Sequence, residues 1–346
     1  MKILLVGWGF PPNIDGGLDI HVERLFRCLQ EEKGVDVTLA LPKDRAPIEE
    51  NIIGLDVGEG GILEKSRNMS SKVAELAQDF DVVHTHDWFS AEAGFKSKKY
   101  SDCKWVSTIH SLNSDRGGEK GGEVEKLEKV AVKEADKVIS VSSQIRENIE
   151  ESYGVDSIVI RNGSSSPPIS GSNIKENLEI DGDMIFFVGR HAEQKGVKNL
   201  IYGFKKYRDG GGSAELVLGG KGHLSDSLKD FARMLEVEEH IFFEGFIPRE
   251  ELGDYYSSAD VFVSPSRSEP FGLTITEALE CGTPVVATES GVEELLPKNS
   301  LVHIEPNSDS IAEGIKKGLR QDKEIKSVER SWKDMSEEII EVYNSI

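Results

Sequence analysis

Apolar residues in this chain come in short, nearly continuous runs separated by segments of helical period. KILLVG, VDVTLAL, DVVHTH, KWVSTIH, DKVISVS and DSIVIRN occupy the first half. MIFFVGR, AELVLGG, HIFFEGF, ADVFVSP and TPVVAT repeat the theme in the second. Runs of this kind are strands buried on both faces, and both-face burial requires a parallel sheet covered by helices. The intervening segments fit that role. GLDIHVERLFRCLQEE, EVEKLEKVAVKEA, VKNLIYGFKKYRD and LSDSLKDFARML each place apolar residues on one helical face. The pattern predicts two doubly wound, Rossmann-like α/β domains joined by the Ser/Pro/Gly-rich stretch RNGSSSPPISGSN, 161–173. The expected limits are 1–165 for the first domain, with a last helix over 332–346, and 166–331 for the second. Residues 42–70 carry little pattern.

A chain of 346 residues is long enough for two such cores. Its 38% hydrophobic and 30% charged content fit a soluble globular protein. No apolar run reaches the roughly 18 residues of a membrane span, and MKILLVGWGF reads as a first strand instead of a signal peptide. A cytoplasmic location is expected. Three cysteines, Cys28, Cys103 and Cys281, have no metal-like spacing and read as reduced. The net charge of −21 argues against nucleic acid and anionic membrane surfaces as partners. Whether it reflects a salty cytoplasm stays open.

In open α/β sheets ligands bind beyond the carboxyl ends of the strands, so chemistry is sought just after each apolar run. SRSEPFGLTITEALECGTP, 266–284, is a loop that becomes a helix. Gly272 permits close approach to the backbone. The first N–H groups of the helix, around Gly272, Leu273 and Thr274, offer an anion seat. Glu269 in the loop and Glu277 on the helix are acceptors suited to paired sugar or ribose hydroxyls. A diphosphate with a sugar at each end satisfies all three features, which points to a nucleotide sugar. After MIFFVG, Arg190 and Lys195 have the chemistry to bracket that diphosphate. Elsewhere, Gly16 and Gly17 open a helix with Asp15 as the expected cap. The G-x-G-x-x-G dinucleotide fingerprint is absent. His84, His86 and Asp87 follow DVV, but a metal is not expected there, because the histidines alternate with the strand. The pairs Asp79–Asp81 and Asp181–Asp183 precede strands and read as turn residues.

S-x-x-E-P-F-G-L-x-x-x-E-A-L-x-C-G-T-P-V-V-A resembles the signature of glycosyltransferase family 4, the glycosyl transferases group 1, with H-x-H-D-W and TIHS pointing toward the glycogen/starch synthase branch. The resemblance implies the GT-B fold, two Rossmann-like domains facing across a cleft, with the closing helix crossing back to the first. It implies no cofactor and no metal, and a nucleoside diphosphate sugar as donor. By the same resemblance Gly16–Gly17 approach the diphosphate, and Asn162 lies near the donor. Phe246 and Ile247 flank the base, and Phe271 belongs to the donor turn. His110 sits against the transferred sugar, so the expected catalytic set is His110, Arg190, Lys195 and Glu269. Asp87 is on the acceptor side. Trp88 is either a platform for an acceptor sugar or a core residue. The Gly-rich segment 113–122 reads as mobile, with Arg116 as a ligand for acceptor or a lipid-like phosphate.

The function expected from these features is retaining transfer of a hexose, glucose first, from UDP-glucose or ADP-glucose to a glycan acceptor. Ile14 stands where glycogen synthases often carry a lysine, which keeps two other readings open. One is a family 4 transferase acting on a lipid, small-sugar or cell-surface glycan acceptor. The other is a catalytically silent sugar-nucleotide binder, against which stands the intact set Arg190, Lys195, Glu269 and Glu277.

Overall fold

The buried strands assemble into two separate parallel sheets, in a computed structural model that describes residues 1–326 and 328–346. The chain divides into one unit of Met1–Gly163 with Arg330–Ile346, and a second of Ser164–Glu329. The first contains β1 (Lys2–Val6), β2 (Asp36–Pro42), β3 (Ile52–Leu55), β4 (Val82–His86), β5 (Lys104–Ile109), β6 (Lys137–Ser140) and β7 (Ile158–Val159). Their order is β3-β2-β1-β4-β5-β6-β7, parallel throughout. The second contains β8 (Met184–Val188), β9 (Glu215–Gly219), β10 (Ile241–Gly245), β11 (Val261–Ser264), β12 (Val285–Ala287) and β13 (Val302–His303). Their order is β10-β9-β8-β11-β12-β13, again all parallel.

Both orders reverse direction once, between β1 and β4 and between β8 and β11. At such a reversal the two flanking connections leave to opposite faces of the sheet and open a crevice at the strands' carboxyl ends. The sequence predicts the strands on either side of both reversals. It does not predict β3, which lies in the weakly patterned stretch 42–70, or β13. Both are short strands at a sheet edge.

Burial explains why the sheets form. Ile3, Leu4, Leu5 and Val6 are buried on β1, and every residue of β4 and β11 is buried. In the second unit the core joins Ile185, Phe187, Leu216 and Leu218 of the sheet to Leu200, Ile201 and Phe204 of the helix Val197–Asp209. The closing helix, Trp332–Asn344, begins with a capping box between Ser331 and Asp334. It belongs to the first unit, where it packs on the helix Gly17–Glu31. Its Trp332, Met335, Ile339, Val342 and Tyr343 are buried.

Candidate functional site

Each unit gathers its polar side chains at the sheet reversal. In the first unit, β1 leads through a turn to the helix Gly17–Glu31. Gly16 caps this helix by position, with no side-chain hydrogen bond to its N–H groups. The expected cap, Asp15, is engaged elsewhere: its carboxylate accepts from Arg45 at 2.6 Å. Asp19 closes the turn, accepting from the N–H of Gly9 and of Asp15 at 3.0 and 2.6 Å. Gly16 and Gly17 are exposed.

Four imidazoles lie beside this turn. His84 on β4 reaches the Tyr343 hydroxyl at 2.6 Å and Thr108 Oγ1 at 2.7 Å, which makes it a structural tie to the closing helix. His86, at the end of β4, faces His110, which follows β5, with Nδ1 and Nε2 3.2 Å apart. His21, from the helix Gly17–Glu31, bonds Asn162 Oδ1 through Nδ1 at 2.7 Å. Burial strips these rings of water and holds them neutral: His21, His84 and His110 are pushed down to about 3, and His86 is well below its ordinary value. His110 therefore acts at neutral pH as a hydrogen-bonding group and not as a cation. His21, His86 and His110 each offer one nitrogen within 4.8 Å of the others.

Asp87 directly follows β4 with a positive φ of 52°. Its carboxylate accepts from the His110 N–H at 2.7 Å and from Arg116 at 3.3 Å. The second terminal nitrogen of Arg116 lies 3.6 Å from Glu128. Glu128 in turn accepts from the Asn113 N–H and the Tyr153 hydroxyl. Arg116 is thus an internal clamp between two buried carboxylates, where a ligand for acceptor or phosphate is expected from sequence. Burial raises both carboxyls, with the guanidinium pulling the other way. The segment 113–122 is tied down by this clamp and by Gly118 N–H to Asn113 O. Trp88 packs with Trp8 and Phe89 and is 9% exposed, which puts it in the core.

In the second unit the loops after β8 and β11 meet. Lys195 Nζ donates to Glu269 Oε2 at 2.7 Å, and Ser266 Oγ donates to the same oxygen at 2.9 Å. Gly196 lets the two loops close on one another: with φ +66°, a Cβ there would stand 2.1 Å from the Pro265 carbonyl oxygen. Gly272 caps the helix Leu273–Glu280 at φ +103°. Leu273 and Thr274 supply its first N–H groups, and Phe271 is buried beneath them. Arg190 is exposed after β8. Glu277, buried on the helix, accepts from Arg249 at 2.8 Å and from the Tyr256 hydroxyl at 3.1 Å. Phe246 is 48% exposed whereas Ile247 is buried. Cys281 is pushed up to about 12 by burial and by Glu277 and Glu280.

The structure brings Lys195 and Glu269 together in the second unit, and His110, Asp87 and Arg116 in the first. Sequence reasoning missed His21, Glu128, Arg249 and Tyr256. Only Arg249 carried a local signal, a cation just after the FIP segment.

The family model for Glycosyl transferases group 1 matches residues 172–337, and that for Glycosyltransferase Family 4 matches residues 15–164. An uncharacterized glycosyltransferase of Methanocaldococcus jannaschii is 31% identical, with 99% of this chain and 98% of the relative covered. A glycogen synthase of Mycobacterium tuberculosis is 27% identical (84% and 78% covered), and an alpha-maltose-1-phosphate synthase of the same organism is 30% identical (88% and 84% covered). Among solved structures, Anabaena HepE in complex with UDP and glucose superimposes with a TM-score of 0.82 at 19% identity over the whole of both chains. With its two parallel α/β sheets, this chain has the GT-B fold and belongs to glycosyltransferase family 4, the glycosyl transferases group 1.

Proposed function

We propose that this glycosyltransferase moves a glucosyl group, with retained configuration, from a nucleoside diphosphate glucose to a glycan acceptor. The observation that carries the reading is the Lys195–Glu269 pair, held at the β8/β11 reversal beside the glycine-capped start of the helix Leu273–Glu280. A cation, an anion seat and a hydroxyl acceptor together match a diphosphate joined to a sugar.

In this reading Arg190, Lys195 and the Leu273 and Thr274 N–H groups stabilise charge as it develops on the diphosphate. Glu269 holds sugar hydroxyls and Glu277 the ribose, with Phe246 and Ile247 along the base. Family resemblance assigns Gly16 and Gly17 to the diphosphate, Asn162 to the donor, His110 to the transferred sugar and Asp87 to the acceptor side. The bond from C1 of the sugar to the phosphate oxygen breaks, and its electron pair stays on the diphosphate. The acceptor oxygen bonds to C1 from the same face, and its proton passes to the departing phosphate oxygen. Positive side chains and a helix start supply the charge, so no step calls for a metal. The donors seen with relatives support a glucosyl nucleotide, HepE being solved with UDP and glucose. The expected compartment is the cytoplasm. Among the described residues no helix is long and apolar enough to cross a membrane.

A second reading replaces the polymer with a small sugar or sugar phosphate as acceptor. It is favoured by Ile14 in place of a lysine and by the 30% identity to an alpha-maltose-1-phosphate synthase. Release of nucleoside diphosphate from UDP-glucose and ADP-glucose, with and without glycogen, tests both. Glycogen-stimulated release with label entering the polymer supports the first. Release stimulated only by glucose or glucose 1-phosphate supports the second. No release from either donor under any of these conditions counts against both.

A further inference from the structure

We propose that His21, His86 and His110 form a binding site for a single divalent transition-metal cation of the zinc type. The three side chains come from separate rigid elements: the helix Gly17–Glu31, the end of β4 and the residue after β5. Each presents one nitrogen, and the three nitrogens lie within 4.8 Å of one another. His86 Nδ1 and His110 Nε2 are 3.2 Å apart. Two ligands of a tetrahedral zinc, at about 2.0–2.1 Å each, stand about 3.3 Å apart, so this pair already has the spacing of one edge. The His21 ring lies against both partners, its centroid 4.6 Å from that of His110 and 5.2 Å from that of His86.

Two further observations point to a ligand. His21 Nδ1 donates to the side-chain Oδ1 of Asn162, which places the proton on Nδ1 and leaves a lone pair on Nε2. An outer acceptor of this kind is the usual companion of a metal-ligating imidazole, because it fixes both tautomer and ring orientation. The liberated Nε2 of His21 is buried and has no hydrogen-bond partner among the described residues. This side chain is 1% exposed. A buried polar nitrogen without a partner is costly and calls for an explanation. A cation bound among the rings supplies one for His21 Nε2. Three nitrogen donors select zinc, cobalt, nickel or copper over magnesium or calcium, which require oxygen. The nearby Asp87 carboxylate, bonded to the His110 N–H, offsets part of the charge. Since His110 is assigned to the transferred sugar, a bound cation would compete with the donor. That consequence rests on the transferase reading, whereas the binding itself does not.

The test uses the full chain, freed of metal with a chelator, and two probes: Zn2+ followed by calorimetry and Co2+ followed by visible absorption. The expected result is one equivalent of each, with the intense absorption of four- or five-coordinate cobalt. His21→Gln and His110→Gln should each abolish the cobalt signature. Asn162→Ala, which removes only the outer partner, should weaken binding about 10–100-fold. His223→Gln, at an exposed histidine paired with Glu193, should change nothing. Circular dichroism establishes that each variant is folded, and His110→Gln serves if His21→Gln is not. Absence of saturable uptake, or uptake that survives His110→Gln, overturns the proposal. So does loss of binding in His223→Gln. Because uptake is read without substrate, its failure leaves the transferase reading untouched.

Discussion

Replacing Arg116 with alanine should unfold the first unit more readily at neutral pH than at pH 5.5. The guanidinium stands between Asp87 and Glu128, 4% and 2% exposed, at 3.3 and 3.6 Å. Without it, two buried carboxylates face each other with no cation between them. Breaking a buried ion pair on one side costs about 3–5 kcal/mol, because the stranded charge has lost its compensation. Total stability is typically only about 5–15 kcal/mol. For a unit of this size the loss corresponds to a fall of roughly 6–20 °C in Tm. The pH dependence has a definite sign. Burial already raises both carboxyls; the guanidinium is the largest opposing influence on Asp87 and acts on Glu128 beside the Tyr153 hydroxyl and the Asn113 N–H. Removing it raises the folded-state values further. A carboxyl whose folded value lies above its unfolded value binds more protons folded than unfolded in the interval between them. Stability therefore falls as pH rises through that interval, and it is recovered below it. The assay is urea denaturation of wild type and Arg116→Ala at pH 7.5 and 5.5. Taking the difference between proteins at each pH cancels the contribution of the buried histidines, which both share. The difference should be largest at pH 7.5 and shrink at pH 5.5. Arg116→Lys, which keeps the charge but loses the fork, should recover only part of it. Equal stability of Arg116→Ala and wild type at pH 7.5, with a change confined to acceptor KM, would refute the clamp and restore the solvent-facing ligand expected from sequence.

Lys195→Ala should lower kcat/KM for the nucleotide sugar about 10²–10³-fold, as loss of one group stabilising transition-state charge does; initial rates of nucleoside diphosphate release measure it. On the proposed assignment of Glu277 to the ribose, Arg249→Gln should raise the donor KM several-fold with kcat little changed, because Arg249 donates to the Glu277 carboxylate at 2.8 Å. The same variant should discriminate less against a 2′-deoxyribose donor, and an unchanged KM would detach Arg249 from the site. Gly196→Ala should destabilise the second unit by more than about 1 kcal/mol, since it combines a left-handed φ with a Cβ 2.1 Å from a backbone oxygen. Thermal unfolding checks this, and a Tm equal to wild type would contradict the closeness of the two loops.

What could be read from the sequence, and what could not, follows from the range of the interactions. β1, β4, β8 and β11 are largely buried, and apart from Lys2, Ser264 and the His84–Thr85–His86 end of β4 their residues are apolar and announce themselves locally. The glycine-capped helix start is legible in the same local way, since Glu269, Gly272, Leu273 and Thr274 lie within six consecutive positions. β3 and β13 are edge strands of four and two residues, too short for a periodicity to emerge. Arg116 reads from sequence as part of a permissive segment because Gly117 and Gly118 follow it directly. A glycine-rich segment reports a permissive backbone, whereas the partners that pin it, Asp87 and Glu128, are 29 and 12 residues away. The histidine cluster is the clearest case of long-range assembly. His21, His86 and His110 are separated by 65 and 24 positions, spacings that resemble no ligand motif. They meet because β4 lies between β1 and β5 in the sheet, which brings the three connections at the carboxyl ends of these strands to one place. Sheet order therefore decides which polar residues share a site, and strand composition alone does not encode it. The same topology explains the Lys195–Glu269 pair, 74 residues apart and joined because β8 and β11 are neighbours at the second reversal.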